Sequence, residues 1–505
     1  MQHVRPRFAP SHVALGLSLA VVAALGAPRS EASQLIAIGT LTGTADLSGL
    51  NGLLEDGLAA TALGGTGSGL AYAGGNTFLS LPDRGPNKVA WGGTTGFNVD
   101  NTTSYISRFQ TVTMGLAAAP SGALPFTLTP TLSATTLLFS TTALNYGSAP
   151  VPTINTGSQY YFTGRSDAFG TGSSLAATDA RFDPEGIRVS NDGKSVFISD
   201  EYGPYVYQFD RATGERIRTF ALPAAYGIAN KNSLGTAEIS SNTVNGRITN
   251  KGMEGLAISP DGKSLIGFMQ SPLAQDGGDV ATGENGRYNR LVKIDIATGQ
   301  THEYVYDNKI TTDPTTGATV NRNFNSSEII AVNDNVFLVL ERDGVGLGGT
   351  APGATGAIRK VYKIDLSGAT ELPAGAAGAS TLATYAVEKT QFIDLRAALN
   401  ALGITDAQIP SKLEGLAFGQ DVVIDGVTKH TLYVSNDNDY APTDCNLGVC
   451  NTNNFYVFAF DDTELPGYQA QAVAPVPLPA AGWLLVSGLG ALGAAARRRR
   501  QGGSA

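Results

Sequence analysis

Five segments of the chain repeat one pattern: a small or acidic start, an apolar strand, a tight turn, a second strand, and an acidic or arginine-bearing end. They cover residues 68–85, 185–203, 254–272, 327–344 and 414–439. A second strand pair follows several of them, at 206–220, 291–306, 361–372 and 455–465, with 104–116 as a weaker copy. Two such hairpins make a four-stranded antiparallel sheet, the blade of a propeller. Turns are written into the repeats as Asn191-Asp192-Gly193 and Pro260-Asp261-Gly262, in which glycine supplies the positive φ and aspartate a local hydrogen bond. Radial closure is the economical solution for so many short strands, because it leaves few open edges.

The anchors Gly69, Gly186, Gly255, Ile329 and Gly415 are spaced by 117, 69, 74 and 86 residues. The long first step leaves room for a further blade near 115–180. The expectation is therefore an all-β propeller of four-stranded antiparallel blades, six in number with seven as the alternative. A pair of β-sandwiches is the competing architecture. A helix is expected over 391–401, where Phe392, Leu395, Leu399 and Leu402 approach helical spacing. The stretches 111–158 and 345–385 read as long connections.

Both ends look like targeting segments. Arg5 and Arg7 precede an apolar run over 13–26, which is short for a bilayer span, and the small residues Ser30 and Ala32 follow. Residues 1–32 thus read as a signal peptide. At the other end Val476-Pro477-Leu478-Pro479-Ala480 precedes an apolar stretch over 481–496 and then Arg497 to Arg500. That order resembles the VPLPA variant of the PEP-CTERM sorting signals. The resemblance implies processing by an exosortase-type enzyme, transient inner-membrane association through 481–496, and delivery to the cell surface, outer envelope or extracellular matrix. Residues 33–475 remain as the propeller domain and 476–505 as the sorting signal. The only cysteines, Cys445 and Cys450, are expected to close a small disulfide loop in an oxidising compartment.

The chain of 505 residues carries a formal charge of −9, and its ends hold seven arginines against one glutamate, so the body is more acidic still. With no basic run in the body, nucleic acid is excluded as a partner. Glu185, Glu254, Glu328 and Glu414 occupy one equivalent place at the start of the first strands. First strands line a propeller's channel, so these carboxylates converge and need a cation or a basic side chain to offset their repulsion. A second acidic series, Asp83-Arg84, Asp200-Glu201, Glu341-Arg342-Asp343 and Asp437-Asn438-Asp439, ends the second strands. Oxygen-only sets of this kind suit Ca²⁺ better than zinc. Neither a G-x-S-x-G elbow nor an HExxH motif is present.

The segments Asp183-Pro184-Glu185-Gly186-Ile187, Ser199-Asp200-Glu201-Tyr202-Gly203-Pro204, Met253-Glu254-Gly255-Leu256-Ala257, Leu340-Glu341-Arg342-Asp343, Leu413-Glu414-Gly415-Leu416-Ala417 and Asn436-Asp437-Asn438-Asp439 resemble the phytase-like propeller family named for an esterase-like activity of phytase. The resemblance implies a calcium-dependent hydrolase of phosphoric esters acting on a small anionic or ester substrate. On that basis Glu185, Glu254, Glu341 and Glu414 are catalytic candidates. Asp200, Glu201, Asp343, Asp437 and Asp439 are metal ligands, and Arg84, Lys251 and Arg342 are anion clamps. Two alternatives stay open: a lactonase-like or esterase-like propeller using a central divalent ion, and a non-catalytic surface propeller stiffened by calcium.

Overall fold

The glycines that open the repeats lie where strands meet around an axis. The computed structural model describes residues 33–474 apart from 92–100, 120, 204, 233, 278–285, 309–310, 313–318, 321–324 and 354–356. Blade 1 holds Gly69–Tyr72, Thr77–Leu81, Arg108–Ala118 and Phe126–Leu137. Blade 2 holds Pro184–Val189, Ser195–Asp200, Tyr205–Asp210 and Arg216–Ala221. Met253–Ile258, Ser264–Met269, Tyr288–Asp295 and Thr301–Asp307 form blade 3, with Ala386–Val387 added in parallel at its edge. Blade 4 is Asn325–Ala331, Val336–Arg342, Arg359–Asp365 and Lys389–Asp394. Blade 5 combines Leu413–Phe418, Val427–Asn436 and Asn453–Phe460 with Gln34–Leu41 from the start of the body. That last pairing joins the two ends of the body and closes the ring.

The innermost strands touch in succession from blade 1 to blade 5, and blade 5 touches blade 1. The ring therefore has five blades, which corrects the expectation of six or seven. The 117-residue step was spent on longer strands and an insert instead of on a blade. The outer strands of blade 1 run for 11 and 12 residues, and a two-stranded sheet of Phe139–Ser140 with Tyr160–Tyr161 follows. Phe126–Leu137 is rich in threonine and mostly half-exposed or exposed, so it lacks the alternating apolar signal that marks the other strands. The expected helix forms only over Leu395–Ala401, because Lys389–Asp394 completes blade 4. Asp394 caps it by accepting the Ala397 N–H.

Apolar side chains fill the spaces between blades. Phe197, Val206, Leu256 and Leu265 pack between blades 2 and 3, and Leu338, Leu340, Leu416 and Val434 between blades 4 and 5. Both faces of each inner strand are buried, which is why the repeats read as nearly continuous apolar runs. Five inner strands make a narrow ring. A Cβ placed on Gly186 would lie 2.6 Å from the Leu256 backbone nitrogen, and one on Gly255 would lie 2.9 Å from that of Ile329. Gly186→Ala should accordingly cost about 1–3 kcal/mol through overpacking against backbone that cannot yield. An unchanged denaturant midpoint for this variant would contradict the close approach of blades 2 and 3.

The channel is not open from end to end. The Arg188 guanidinium of blade 2 pairs with Glu328 of blade 4 at 2.9 Å, and both are buried. Arg188 also donates to the carbonyls of Leu70 at 2.7 Å and Ile329 at 2.8 Å. Glu328 accepts the Leu256 and Ile329 N–H groups. This plug links blades 1 to 4 across the axis. Below it, the segment after blade 5 crosses the far mouth. Gln471 donates to the Val189 carbonyl, and Tyr468 packs against Phe418.

Residues 1–32 and 475–505 lie outside the described residues, and so do the expected signal peptide and sorting segment. Among the described residues no helix is long and apolar enough to cross a membrane. The expected inner-membrane association through 481–496 gains no support from any described helix and is withdrawn; the exosortase-type processing expected at 476–505 falls outside the described residues.

Candidate functional site

The pairing register decides which side chains reach the near mouth. Pro184 faces Asp200, Met253 faces Met269, Ser326 faces Glu341 and Leu413 faces Asn436, and a bulge follows each of these pairs. In three blades the bulged strand presents a glutamate: Glu185, Glu254 and Glu414. In blade 4 the equivalent residue is Ser327, so Glu328 stands one place further along, in the channel plug. This corrects the four-glutamate ring expected from the motifs. One residue beyond each opposing partner lies a second ring: Glu201, Gln270, Arg342 and Asp437, with Asp83 as the contribution of blade 1. All five line a cavity of about 230 Å³ at this mouth, together with Glu185, Glu254 and Glu414.

Strand alternation separates the rest of the expected site from this cavity. Asp200 precedes Glu201 and faces away, accepting the N–H groups of Asp183 and Tyr202 as a turn anchor. Glu341 precedes Arg342 and is buried against Lys389 and the Tyr306 hydroxyl. Asp343 accepts the N–H groups of Val345 and Ile358 and pairs with Arg359. None of these three lines the cavity, whereas Arg84, Lys251, Arg342, Glu201, Asp437 and Asp439 do. Cys445 and Cys450 form the expected disulfide. Lys412, Asn250 and Gln270 also line the cavity and were not singled out from the sequence. Lys412 immediately precedes its blade's first strand, as Asp183 does in blade 2, and that shared place was the available signal.

Two carboxylate triads stand at this mouth. Asp83, Asp437 and Asp439 form one; Asp183, Glu185 and Glu201 form the other. In each, three oxygens lie within 4.8 Å of one another. Each triad already holds one basic side chain. Lys412 reaches Asp437 at 2.8 Å and Asp439 at 2.6 Å. Arg84 reaches Asp183 at 2.6 Å and Glu201 at 3.6 Å. Between the triads Arg342 contacts Glu414 and approaches Glu254 at 3.9 Å, while Lys251 donates to Gln270.

The lining therefore carries seven carboxylates against four basic side chains. Burial, then repulsion from Glu254, Asp183 and Glu201, pushes the Glu185 carboxyl well above its usual range. Burial and Asp183 do the same to Glu201, and burial and Asp437 to Asp83. Glu254 is pushed up to about 8 by burial and by Glu414. Asp437 goes the other way: burial would raise it, but Lys412 and the Asp439 N–H outweigh burial. Crowded, desolvated carboxylates with oxygen donors alone are the donor set of a hard divalent cation, and the triads fit one.

The family model for "Esterase-like activity of phytase", a phytase-like family, matches residues 61–440. An uncharacterized secreted protein of Arthroderma benhamiae is 31% identical over 317 residues, which cover 55% of each chain. The chain thus spans about half the length of that curated relative. Among solved structures, a putative 6-phosphogluconolactonase from Bacteroides uniformis is 12% identical, with 81% of this chain and 92% of that one covered and a TM-score of 0.28. The periplasmic gluconolactonase of Pseudomonas aeruginosa is 11% identical, with 80% and 91% covered and a TM-score of 0.27. The PQQ-bound aldose sugar dehydrogenase of Streptomyces coelicolor is 10% identical, with 84% and 97% covered and a TM-score of 0.30. With the family match extending over most of the propeller and all of the mouth-lining residues of blades 1 to 5, the chain belongs to the phytase-like family named for an esterase-like activity of phytase.

Proposed function

We propose that the protein is an exported, cation-assisted hydrolase of uncharged carboxylic esters or lactones, with Ca²⁺ as the cation. The observation that carries this reading is the charge of the cavity. Seven carboxylates face four basic side chains, and Arg84, Arg342 and Lys412 are each already in contact with a carboxylate. Before any cation binds, a polyanionic phosphoric ester, the substrate that the family resemblance first suggests, would enter a field of its own sign, and its binding would rest wholly on the cations. A neutral ester would not.

Asp83, Asp437 and Asp439 would hold a cation at one side, and Asp183, Glu185 and Glu201 at the other. A hard divalent ion supplies charge compensation and Lewis-acid polarisation of an ester carbonyl. The chain's own groups do the remainder. Glu254, whose carboxyl titrates near 8, exchanges a proton at neutral pH and is suited to general acid–base work. Arg342, held by Glu414 and by the Ser327 hydroxyl at 3.0 Å, lines the cavity and would orient an ester oxygen.

Export is proposed from residues 1–32 acting as a signal peptide, with 476–505 as a sorting tail. The secreted description of the Arthroderma relative supports the first of these. The mature protein recovered from culture should begin near Ser33, and intact mass spectrometry with N-terminal sequencing checks this.

The activity test uses residues 33–475 with carboxylic-ester, lactone, phosphomonoester and phosphodiester substrates, each with calcium and with chelator. Calcium-dependent turnover of esters or lactones is expected. Calcium-dependent phosphate release alone would replace this reading with the phosphoric-ester one. Inert substrates combined with a calcium-raised melting temperature would leave a binding propeller.

A further inference from the structure

We propose that the Cys445–Cys450 disulfide is a positioning cross-link for the Asp83/Asp437/Asp439 triad and sets its cation affinity. This inference rests on the cation reading of that triad. Asp437 and Asp439 leave the second strand of blade 5 and enter the loop that returns at Asn453. That loop is closed at its neck by a set of buried asparagines. Asn451, 2% exposed, donates to the Asn438 carbonyl at 3.3 Å and accepts from the Asn436 amide at 3.2 Å. Asn436 in turn accepts the Asn454 N–H, and Asn438 accepts the N–H groups of Gly65 and Tyr440. Asp437 and Asp439 are therefore carried on residues whose partner across the loop is Asn451.

Asn451 directly follows Cys450, and Asp444, whose carbonyl accepts the Asn451 N–H at 2.8 Å, directly precedes Cys445. The cross-link joins the two chain segments one residue from that closure. Beyond it the tip is a hairpin of two residues per strand, Cys445–Asn446 with Val449–Cys450, and Leu447 at its turn is 82% exposed. A hairpin this short does not hold itself together. Of the three non-glycine residues at positive φ in this loop, two stand at the triad, Asp439 at 49° and Tyr440 at 53°. A bulky residue in that region persists only when its surroundings over-determine it. Tyr440 is fixed from one side by its packing: a Cβ on Gly64 would lie 2.6 Å from its ring. The closed neck fixes it from the other side. Without the cross-link the neck opens at Asn451, and the Asp437 and Asp439 carboxylates lose the spacing that brings them together with Asp83.

The test measures binding of Ca²⁺ and of Tb³⁺ by calorimetry and luminescence for residues 33–475, comparing wild type with C445S/C450S, D437N and the triple variant. Removing the cross-link should weaken one class of sites by about 10–100-fold, as loss of outer-shell support does. The melting temperature of the chelated protein should hardly move. In the D437N background the cysteine changes should add nothing, which a merely structural role would not produce. Should the double variant fold poorly, dithiothreitol treatment of folded wild type gives the same comparison. The reagent's dithiol is oxidised to its cyclic disulfide, and the Cys445–Cys450 bond takes up two electrons and two protons to become two thiols. Equal cation affinity with and without the cross-link would overturn the proposal and leave the cation reading standing. Absence of binding in oxidised wild type would remove both.

Discussion

Arg188→Met should lower the unfolding free energy by about 3–5 kcal/mol, the range observed when one partner of a buried ion pair is removed. Arg188 and Glu328 are 5% and 0% exposed at the centre of the channel. The substitution keeps the length of the side chain but strips its charge. It leaves the Leu70 and Ile329 carbonyls without their side-chain donor and the Glu328 carboxyl without its counter-charge. Burial has already pushed Glu328 up to about 7 despite Arg188. Without the guanidinium its folded value rises further above the unfolded one. Stability from a raised carboxyl is fully present below the unfolded pKa and is lost as pH rises through the folded one. The defect of Arg188→Met should therefore be smaller at pH 5, where it rests on the two carbonyls left without their donor, and should grow as pH rises past about 7. Arg188→Met combined with Glu328→Gln should recover a substantial part of the loss, because no buried charge then remains uncompensated. Denaturant midpoints at pH 5 and pH 8 check this. A pH-independent defect would mean that lost packing, not the orphaned carboxyl, carries the cost.

The same plug shows what could be read from the sequence and what could not. Hairpin repeats, turn tripeptides and glycine anchors are local signals, and they located the inner and second strands of every blade. Blade number is not local. Spacing counts assume that every interval holds one unit, and the elongated outer strands Arg108–Ala118 and Phe126–Leu137 absorbed the interval that suggested a sixth. Glu328 was misplaced for a related reason. The Ser327-Glu328-Ile329 segment resembles the Glu-Gly-Leu motif when aligned on its acid, but the ladder aligns it on its bulge. A glutamate then takes the place of the glycines that elsewhere let the inner strands approach.

Within the candidate site, the recurring motifs pointed to acids that the fold gathers at one mouth, with oxygen donors able to hold a divalent cation. Which acid of each adjacent pair faces inward depends on strand parity, and a single bulge inverts parity. Asp200 and Glu341 therefore turned outward while their neighbours Glu201 and Arg342 turned in. Gln270 and Lys412 escaped notice because a search for carboxylates does not see the neutral and basic members of the same rings. Those members matter: the basic ones keep the cavity's excess charge to three carboxylates if all lining groups are ionised.

Glu254→Gln should move stability and activity in opposite directions. In the cation-free protein the Glu254 carboxyl titrates near 8, against an ordinary 4.5, because burial and Glu414 oppose its ionisation. Its contribution to stability is thus full below about pH 4.5 and is lost as pH rises through about 8. An amide of the same shape cannot ionise and keeps that contribution at every pH. The variant should match wild type at pH 5 and exceed it at pH 9 by on the order of a few kcal/mol in the presence of chelator. Saturating calcium should shrink the difference, since a bound cation relieves the same repulsion in the wild type. If Glu254 carries the proton in ester cleavage, the same change should reduce kcat by about 100–10,000-fold. Thermal melts at both pH values and steady-state kinetics on the best ester separate the two effects. Stabilisation at pH 9 with full activity would leave Glu254 as a crowded carboxylate with no part in proton transfer. Loss of activity without stabilisation would show that the carboxylates at this mouth are already relieved of their repulsion in the cation-free protein.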